Sequence, residues 1–312
     1  MSERIRSETD AAGTLAMRRL ERADAEYPAP LREIPDAPEV LHVRGGLVRE
    51  DALAVALVGS RRATPYGIGV AEDLGAELAS RGVTVVSGLA RGIDSAAHRG
   101  ALRAGGRTIA VLGCGVDVIY PPENRRLAED IERRGALVSQ FAPGTRPLAH
   151  HFPIRNRVIA GLAIGVVVVE AAEQSGALIT ARLAAELGRE VMAVPGRVTS
   201  AQSRGAHALI KDGAALVEEL KDVIDALPMR WRACLTPAVR VGQHERQATD
   251  QGQDPDGQRL LGVVGEEPIT IDEVIEKSGL GSARAAALLL ELELDGRIRQ
   301  IEGKRFVQAR RG

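Results

Sequence analysis

Arg155 and Arg157 flank Asn156 at the opening of a helical run, and a continuous apolar segment, Ile164 to Val169, follows. After Glu170 the chain reaches Ser175-Gly176, which opens a second helical stretch carrying Thr180. A β-branched run without alternation reads as a strand buried on both faces, hence part of a parallel sheet. A Ser-Gly turn behind such a strand presents free backbone amides at a helix start, where anions settle. Guanidinium groups beside those donors match phosphate, which they grip with a planar fork. No nucleophile–base pair accompanies them, so residues 152–180 point to binding rather than catalysis.

Other spacings invite chemistry and have plainer explanations beside them. Asp94 and His98 are four apart and share a helix face, a spacing that suits an acid and a base. A cap by Asp94 on a helix starting near Ser95, with His98 packed or hydrogen-bonded, accounts for the same pair. His150-His151 lack a third partner at metal-ligand spacing, which favours a phosphate-facing or solvent role. Cys114 between two glycines reads as a small buried residue.

Stepping outward, 312 residues suit two domains and a substantial core. The balance of 41 basic against 42 acidic residues gives a net charge of −1, so no global field advertises nucleic acid. The positive charge is nearly all arginine, the lysines being Lys211, Lys221, Lys277 and Lys304. Cys114 and Cys234 imply neither a disulfide framework nor a metal site, which fits a reducing compartment. No run has the length or apolarity of a signal or transmembrane segment, so a cytoplasmic protein away from membranes is expected.

The pattern of strand, glycine turn and helix repeats from about residue 51 to 226. Strands are predicted over 53–58, 83–87, 108–112, 137–140, 164–169 and 190–194, and helices over 68–80, 93–104, 125–133 and 177–187. This alternation argues a doubly wound, mostly parallel α/β sheet with ligands at the carboxyl ends of its strands. Residues 1–50 read as a charged helix-like piece followed by a proline-rich lead-in, and 227–258 as a linker. Three short helices and a hairpin over 259–312 form a winged-helix pattern.

Each early strand empties into a glycine-bearing turn: Gly59-Ser60-Arg61-Arg62, Ser87-Gly88-Leu89-Ala90-Arg91-Gly92, Gly113-Cys114-Gly115, and then Ser175-Gly176. Glycine lets backbone donors approach a ligand, and Arg61 and Arg91 add charge at the same rim. Neither a dinucleotide fingerprint nor a P-loop is present, so no cofactor is expected.

In order along the chain, Val58-Gly59-Ser60-Arg61, SGLARGIDSAAH (87–98), GCGVDVIYPPEN (113–124), FPIRNRVIAGL (152–162), SGALITA (175–181) and AVPGRVTSAQSRGAHALIKDGA (193–214) resemble the DNA-processing protein A (DprA/Smf) family. The lead-in YPAPLREIPDAPEVL belongs to the same resemblance, which covers roughly residues 27 to 226. It implies an extended Rossmann-like domain that binds single-stranded DNA, forms a homodimer, and helps load the RecA recombinase in natural transformation. In that role the family is not enzymatic.

By position, the resemblance makes Arg61, Arg155, Asn156 and Arg157 DNA contacts. Gly59, Ser60, Ser87, Gly88, Arg91, Ser175, Gly176 and Thr180 would then supply backbone or side-chain donors, with His151 and Phe152 beside them and Lys211 adding charge. The region 205–220 resembles the dimerising segment, with Leu209, Ile210 and Leu216 as apolar candidates that core burial explains equally well. Gln140 stands where the family has glutamate, and His150 or His151 where a lysine often precedes FPxRNR. The front end is short beside relatives that begin with a helix-hairpin-helix type of module.

The alternative is a phosphoribohydrolase-like enzyme or nucleotide sensor, although such enzymes carry PGGxGT where this chain reads EQSGALIT. In the winged-helix region, the third helix holds Arg284 as its one cation, with Glu291, Glu293 and Asp295. Such a helix reads a major groove poorly. The basic residues Arg297, Arg299, Lys304, Arg305, Arg310 and Arg311 cluster in and after the hairpin. Protein contact or auxiliary DNA contact through the wing both fit that distribution.

Aromatic residues make up 2% of the chain, with Phe152, Tyr66, Tyr120 and Phe141 near the motifs, so stacking platforms are few. Single-strand binding is therefore expected to be sequence-indifferent and to weaken by about 0.7 log units per tenfold salt for each phosphate neutralised. Anisotropy titrations over a salt series check this; a flat dependence would contradict it.

Overall fold

The computed structural model describes residues 17–236, 255–265, 268–294, 298–301 and 305–308. The chain divides into two units, 1–241 and 242–312. In chain order the first unit begins with β1 (Arg18–Glu21), α1 (Ala29–Arg32), β2 (Val40–Gly45), β3 (Ala54–Val58), α2 (Pro65–Ser80) and β4 (Thr84–Ser87). It continues with α3 (Ile93–Arg103), β5 (Thr108–Val111), α4 (Arg125–Arg134), β6 (Ala136–Ser139), α5 (His151–Leu162) and β7 (Gly165–Val168). Then come α6 (Gly176–Glu186), β8 (Glu190–Ala193), α7 (Arg204–Lys211), β9 (Ala215–Leu216), α8 (Leu220–Ala226) and α9 (Met229–Arg232).

The nine strands form one sheet of order β1-β2-β6-β5-β4-β3-β7-β8-β9. All pairings from β6 to β9 are parallel, while β2 lies antiparallel to β6 and β1 antiparallel to β2. This is an extended Rossmann-like sheet. Strand β3 serves both faces by simple alternation. Ala54, Ala56 and Val58 join the core that contains Val158 and Ile159 of α5 and Ala181 of α6. Val55 and Leu57 join Leu74 and Leu78 of α2 and Ala97 of α3. Because β3 pairs with β4 on one side and β7 on the other, strand order reverses there and leaves a crevice at the carboxyl ends.

The lead-in differs from its expectation. Its described part contributes two strands and a single helical turn, with strand β1 at 18–21; residues 1–16, which hold much of the expected charged helix-like piece, lie outside the described residues. Strand β2 alternates, with Leu41 and Val43 fully buried and His42 and Arg44 pointing outward, which is the pattern of a half-buried strand. A buried carboxylate ties this addition to the parallel sheet. Asp51 accepts hydrogen bonds from Thr84 Oγ1 at 2.8 Å, the Val48 amide at 2.9 Å, and Arg107 Nε and Nη2 at 2.8 and 2.9 Å. Arg44 adds a bidentate pair to Glu132 of α4 at 3.1 and 2.6 Å.

Part of the segment read as a linker is ordered. Met229–Arg232 is helical, and Trp231 and Leu235 pack against the core of the first unit. Residues 237–254 lie outside the described residues. In the second unit, helices α10 (Pro255–Val263), α11 (Ile271–Ser278) and α12 (Ser282–Leu294) surround a core with Leu260, Val274, Leu288, Leu289 and Phe306. Strands β10 (Ile269–Thr270), β11 (Ile298–Ile301) and β12 (Arg305–Gln308) form a small antiparallel sheet of order β10-β12-β11. This is a winged-helix domain. Asp295, Arg297, Lys304, Arg310 and Arg311, and the side chain of Glu291, lie outside the described residues.

His98 tests the packing of α3. It is fully buried, with Nδ1 2.7 Å from Thr108 Oγ1, whose hydroxyl donates to the Val85 carbonyl at 2.6 Å. The histidine must therefore donate from Nδ1, and its Nε2 is buried without a partner. Burial, followed by the charges of Arg155 and Arg99, pulls its pKa down to about 3. A histidine with a folded pKa far below about 6.5 binds fewer protons than in the unfolded chain, so its contribution is lost as pH falls from about 6.5 toward 3. Relative to His98→Asn, the wild type is expected to lose roughly 2 kcal/mol more between pH 7 and pH 5. Denaturant unfolding at both pH values measures the difference, and parallel pH dependences would refute it.

Candidate nucleic-acid interface

At the reversal of strand order lies a cleft of about 810 Å³. One wall is the turn after β3, from Gly59 to Arg62; the opposite wall is Gln174-Ser175-Gly176 and the first turns of α6 through Thr180. The start of α5, with Phe152, Arg155 and Asn156, forms the floor beside Asp94.

The first wall is held from behind. Glu170, at the end of the buried segment, accepts from the Thr64 amide at 2.8 Å and the Thr64 hydroxyl at 2.6 Å, and its carbonyl accepts from the Ser60 amide at 2.7 Å. Thr64 in turn caps α2 by accepting from the Gly67 amide at 3.2 Å. Ser60 Oγ accepts from the Arg62 amide at 3.1 Å and donates to Gln202 Oε1 at 3.1 Å. The Ser60 side chain thus shapes the turn. Arg61 and Arg62 are exposed, and neither is in an ion pair among the described residues.

On the second wall, Ser175 caps α6 by accepting from the Ala177 amide at 3.3 Å. Gly176 has open space around its Cα and, as the first helical residue, an amide with no acceptor inside the helix. Thr180 is buried and lines the cleft one turn further on.

The floor places the two expected arginine contacts differently. Arg155 is only 4% exposed, and its Nη1 donates to the carbonyl oxygens of Gly88 at 2.7 Å and Val111 at 2.5 Å, while Nε donates to Asn156 Oδ1 at 3.2 Å. Most of its fork is therefore committed to the fold. Burial lowers its pKa to about 10, opposed by the nearby charge of Asp94. Asn156 carries the link onward, donating to the Gly176 carbonyl at 3.3 Å. Arg157 leaves the cleft entirely. Two helical positions rotate a side chain by about 200°, and Arg157 pairs with Asp36 of the lead-in at 2.6 Å.

The second glycine loop does not line the cleft as an anion nest. Asp94 Oδ2 accepts from the amides of Gly88 at 3.2 Å and Ala90 at 3.3 Å, so those donors are occupied internally. Asp94 is thus a staple of the 87–92 loop, not a cap at Ser95; Gly92 is the residue preceding α3. A Cβ at Gly88 would lie 2.3 Å from Arg155 Nη1, so a larger residue there would have to displace the Arg155 guanidinium. Ser87 is fully buried and donates to the Leu57 carbonyl at 2.7 Å. Arg91 is exposed at the rim and paired with Glu123.

Other expected residues sit further out. Lys211 is exposed at the end of α7 and is not part of the cleft. His151 is buried outside the cleft lining, stacked on Phe141 with centroids 4.3 Å apart. Cys114 is buried, and burial pushes its thiol pKa up to about 11. Phe152 does face the cleft, with the Arg61 guanidinium 4.9 Å above its ring and Tyr120 5.8 Å away. Glu170, Gln174 and Gln202 escaped the motif reading. A lone acid directly after a fully apolar strand was the available signal for Glu170; nothing local marks Gln202.

A mostly parallel sheet with a crevice at its switch point, joined in sequence to a winged-helix unit, defines a Rossmann-like protein of the two-domain kind. The model of the family DNA recombination-mediator protein A matches residues 18–228, and that of the DprA winged helix domain matches 244–304. The chain belongs to the DNA recombination-mediator protein A family. It is similar to Protein Smf of Escherichia coli, 43% identical over 294 residues, which cover 93% of this chain and 77% of that one. The DNA processing protein DprA of Streptococcus pneumoniae is 47% identical over 198 residues, 64% of this chain and 70% of that one.

Solved structures agree with the fold. DNA processing protein A from Streptococcus pneumoniae superposes with a TM-score of 0.64 at 45% identity, covering 68% of this chain and 75% of that one. The Helicobacter pylori protein, described for its single-stranded DNA binding mode, gives 0.60 at 30% identity over 67% of this chain and 94% of that one.

The two kinds of arginine should separate in a mutant series. Arg61→Ala removes an uncommitted cation and is expected to weaken oligonucleotide binding roughly tenfold or more, the scale of one charge-assisted contact. Arg157→Ala should stay within about twofold at the same salt. Arg155→Ala should chiefly lower the melting temperature, because it strands buried carbonyls and Asp94. Equal affinity losses for Arg61→Ala and Arg157→Ala would reject this division.

Proposed function

We propose that this chain binds single-stranded DNA along the cleft, shields incoming strands, and helps load a RecA-type recombinase during natural transformation. One observation carries the site assignment: two turns face each other across the strand-order reversal, the first carrying Arg61 and Arg62, which are in no ion pair among the described residues, and the second the start of α6. Membership of the family and the printed description of the Helicobacter pylori relative support DNA as the ligand. The role is binding without turnover, in the cytoplasm, where the free thiols of Cys114 and Cys234 stay reduced. No helix among the described residues is long and apolar enough to cross a membrane.

A homodimer through 205–220 belongs to the same proposal. Leu209 and Ile210 are partly buried against the core, whereas Leu216 lies on the edge strand β9 and is 44% exposed. Leu216 is therefore the better interface candidate.

The function is tested with the full chain on single-stranded and duplex oligonucleotides of equal length, followed by recombinase filament formation on strands already coated with a single-strand-binding protein. Tighter single-strand binding and faster filament formation are expected, both reduced by Arg61→Ala. Release of free base from a nucleoside monophosphate, abolished by Arg61→Ala, would instead establish an enzyme.

A further inference from the structure

Between β8 and α7 the chain makes an excursion beside the cleft, and the two ends of that excursion meet. A Cβ at Gly196 would lie 2.2 Å from Ser203 Oγ, and Ser203 is buried. His207 of α7 grips the same neck, its Nε2 lying 3.2 Å from the Gly196 amide nitrogen and 3.0 Å from the Gly196 carbonyl oxygen. Tyr66 fixes the preceding residue by donating to the Pro195 carbonyl at 3.0 Å. Residues 196–203 thus form an Ω-loop with a pinned neck, a kind of loop that frequently carries function.

The head of the loop is held differently. The Ser200 amide donates to the Arg197 carbonyl at 2.9 Å and the Ser203 amide to the Ser200 carbonyl at 3.2 Å, so the head is braced internally and can move as a unit. Among the described residues, the bond from the Ser60 hydroxyl to Gln202 Oε1 is the one hydrogen bond that ties it to the body. Gln202 lines the cleft, which puts the head at its mouth. Val198 is 84% exposed there, and the neighbouring Arg197 is exposed as well.

Charge gives this head two preferred positions. Over an empty cleft, Arg197 would approach Arg61 and Arg62, and like charges repel. A polyanion in the cleft reverses the sign and draws Arg197 inward. Ile179 lines the cleft on the α6 side and is 38% exposed, so inward movement also gives Val198 an apolar surface to cover. The two positions therefore differ in their interaction with a ligand, which is what a ligand-driven change requires.

We propose that residues 196–203 are a flap, hinged at its neck, that stands open beside the empty cleft and closes on a bound strand. The Ser60–Gln202 pair is the latch of the open position. Closure follows occupation of the cleft, so it slows release of the strand and leaves encounter unchanged. The inference rests on the single-strand reading of the cleft and gives that cleft a moving part.

The experiment uses the full chain with spin labels on Thr199→Cys in the flap and Arg182→Cys on α6, both exposed positions, in a Cys234→Ser background. An oligothymidylate is expected to shorten the distance between the labels. Arg197→Glu, which reverses the charge of the flap, should shorten it with no strand present. In the unlabelled chain, Val198→Ser should release the oligothymidylate roughly fivefold faster, the scale of one or two methylene groups uncovered, with the association rate unchanged.

A label distance that strand binding does not alter, an Arg197→Glu flap as open as the wild type, or a Val198→Ser release rate equal to the wild type overturns the flap and leaves single-strand binding standing. Failure of the wild type to bind the strand overturns both proposals.

Discussion

Arg155 sets a positive charge inside the sheet's carboxyl edge, and the geometry of the cleft depends on it. One nitrogen of its fork joins the ends of β4 and β5 through the Gly88 and Val111 carbonyls, while Nε reaches Asn156 and, through it, the start of α6. Asp94 stands beside it, its own pKa raised by burial and drawn back by the Arg155 charge. Buried charges of this kind contribute little net stability as a pair, yet removing one strands the other. Their effect here is positional: the ends of β4 and β5 and the starts of α3, α5 and α6 share one polar node.

That node explains why glycine-rich loops of similar appearance do different things. The loop after β4 turns its amides inward to Asp94, and the loop after β5 is held by the Gly115 amide on Thr145 and by the ring of Phe152. The turn after β3 spends its Ser60 and Arg62 amides on the Glu170 carbonyl and on Ser60 Oγ but leaves the Arg61 and Arg62 guanidinium groups exposed, and α6 spends the Ala177 amide on its serine cap. What these two turns offer a ligand is therefore the Arg61 and Arg62 side chains and the first amide of α6. The strand-order reversal brings those two turns together, which no single loop sequence encodes.

The fold was largely legible because burial on both faces writes an unbroken apolar run into each parallel strand. Residues 54–58 and 165–168 carry that run, and the observed elements fall within a few residues of the expected ones. Strands β1 and β2 were harder. They sit at an edge, carry alternating polar residues such as His42 and Arg44, and are interrupted by prolines that suggest coil. At the site, residue type was readable and direction was not. Arg155 and Arg157 look equivalent in the sequence, but helical rotation sends one under the cleft and the other to Asp36. Gln202 reaches Ser60 across 142 positions of sequence, a contact that only tertiary closure creates.

A near-neutral chain can still hold a polyanion because charge is judged locally. Many basic residues are matched by acids: Arg44 by Glu132, Arg107 by Asp51, Arg157 by Asp36, Arg91 by Glu123. Such pairs cancel at the distance of a Debye length, about 10 Å in moderate salt, so they add little to the field a strand meets. Arg61 and Arg62 have no such partner among the described residues and stand beside a helix start whose amides point the same way. Arg61 and Arg62 therefore place positive charge over the reversal between β3 and β7, and the exposed Arg146 and Arg197, which no ion pair among the described residues includes either, extend it along the same edge.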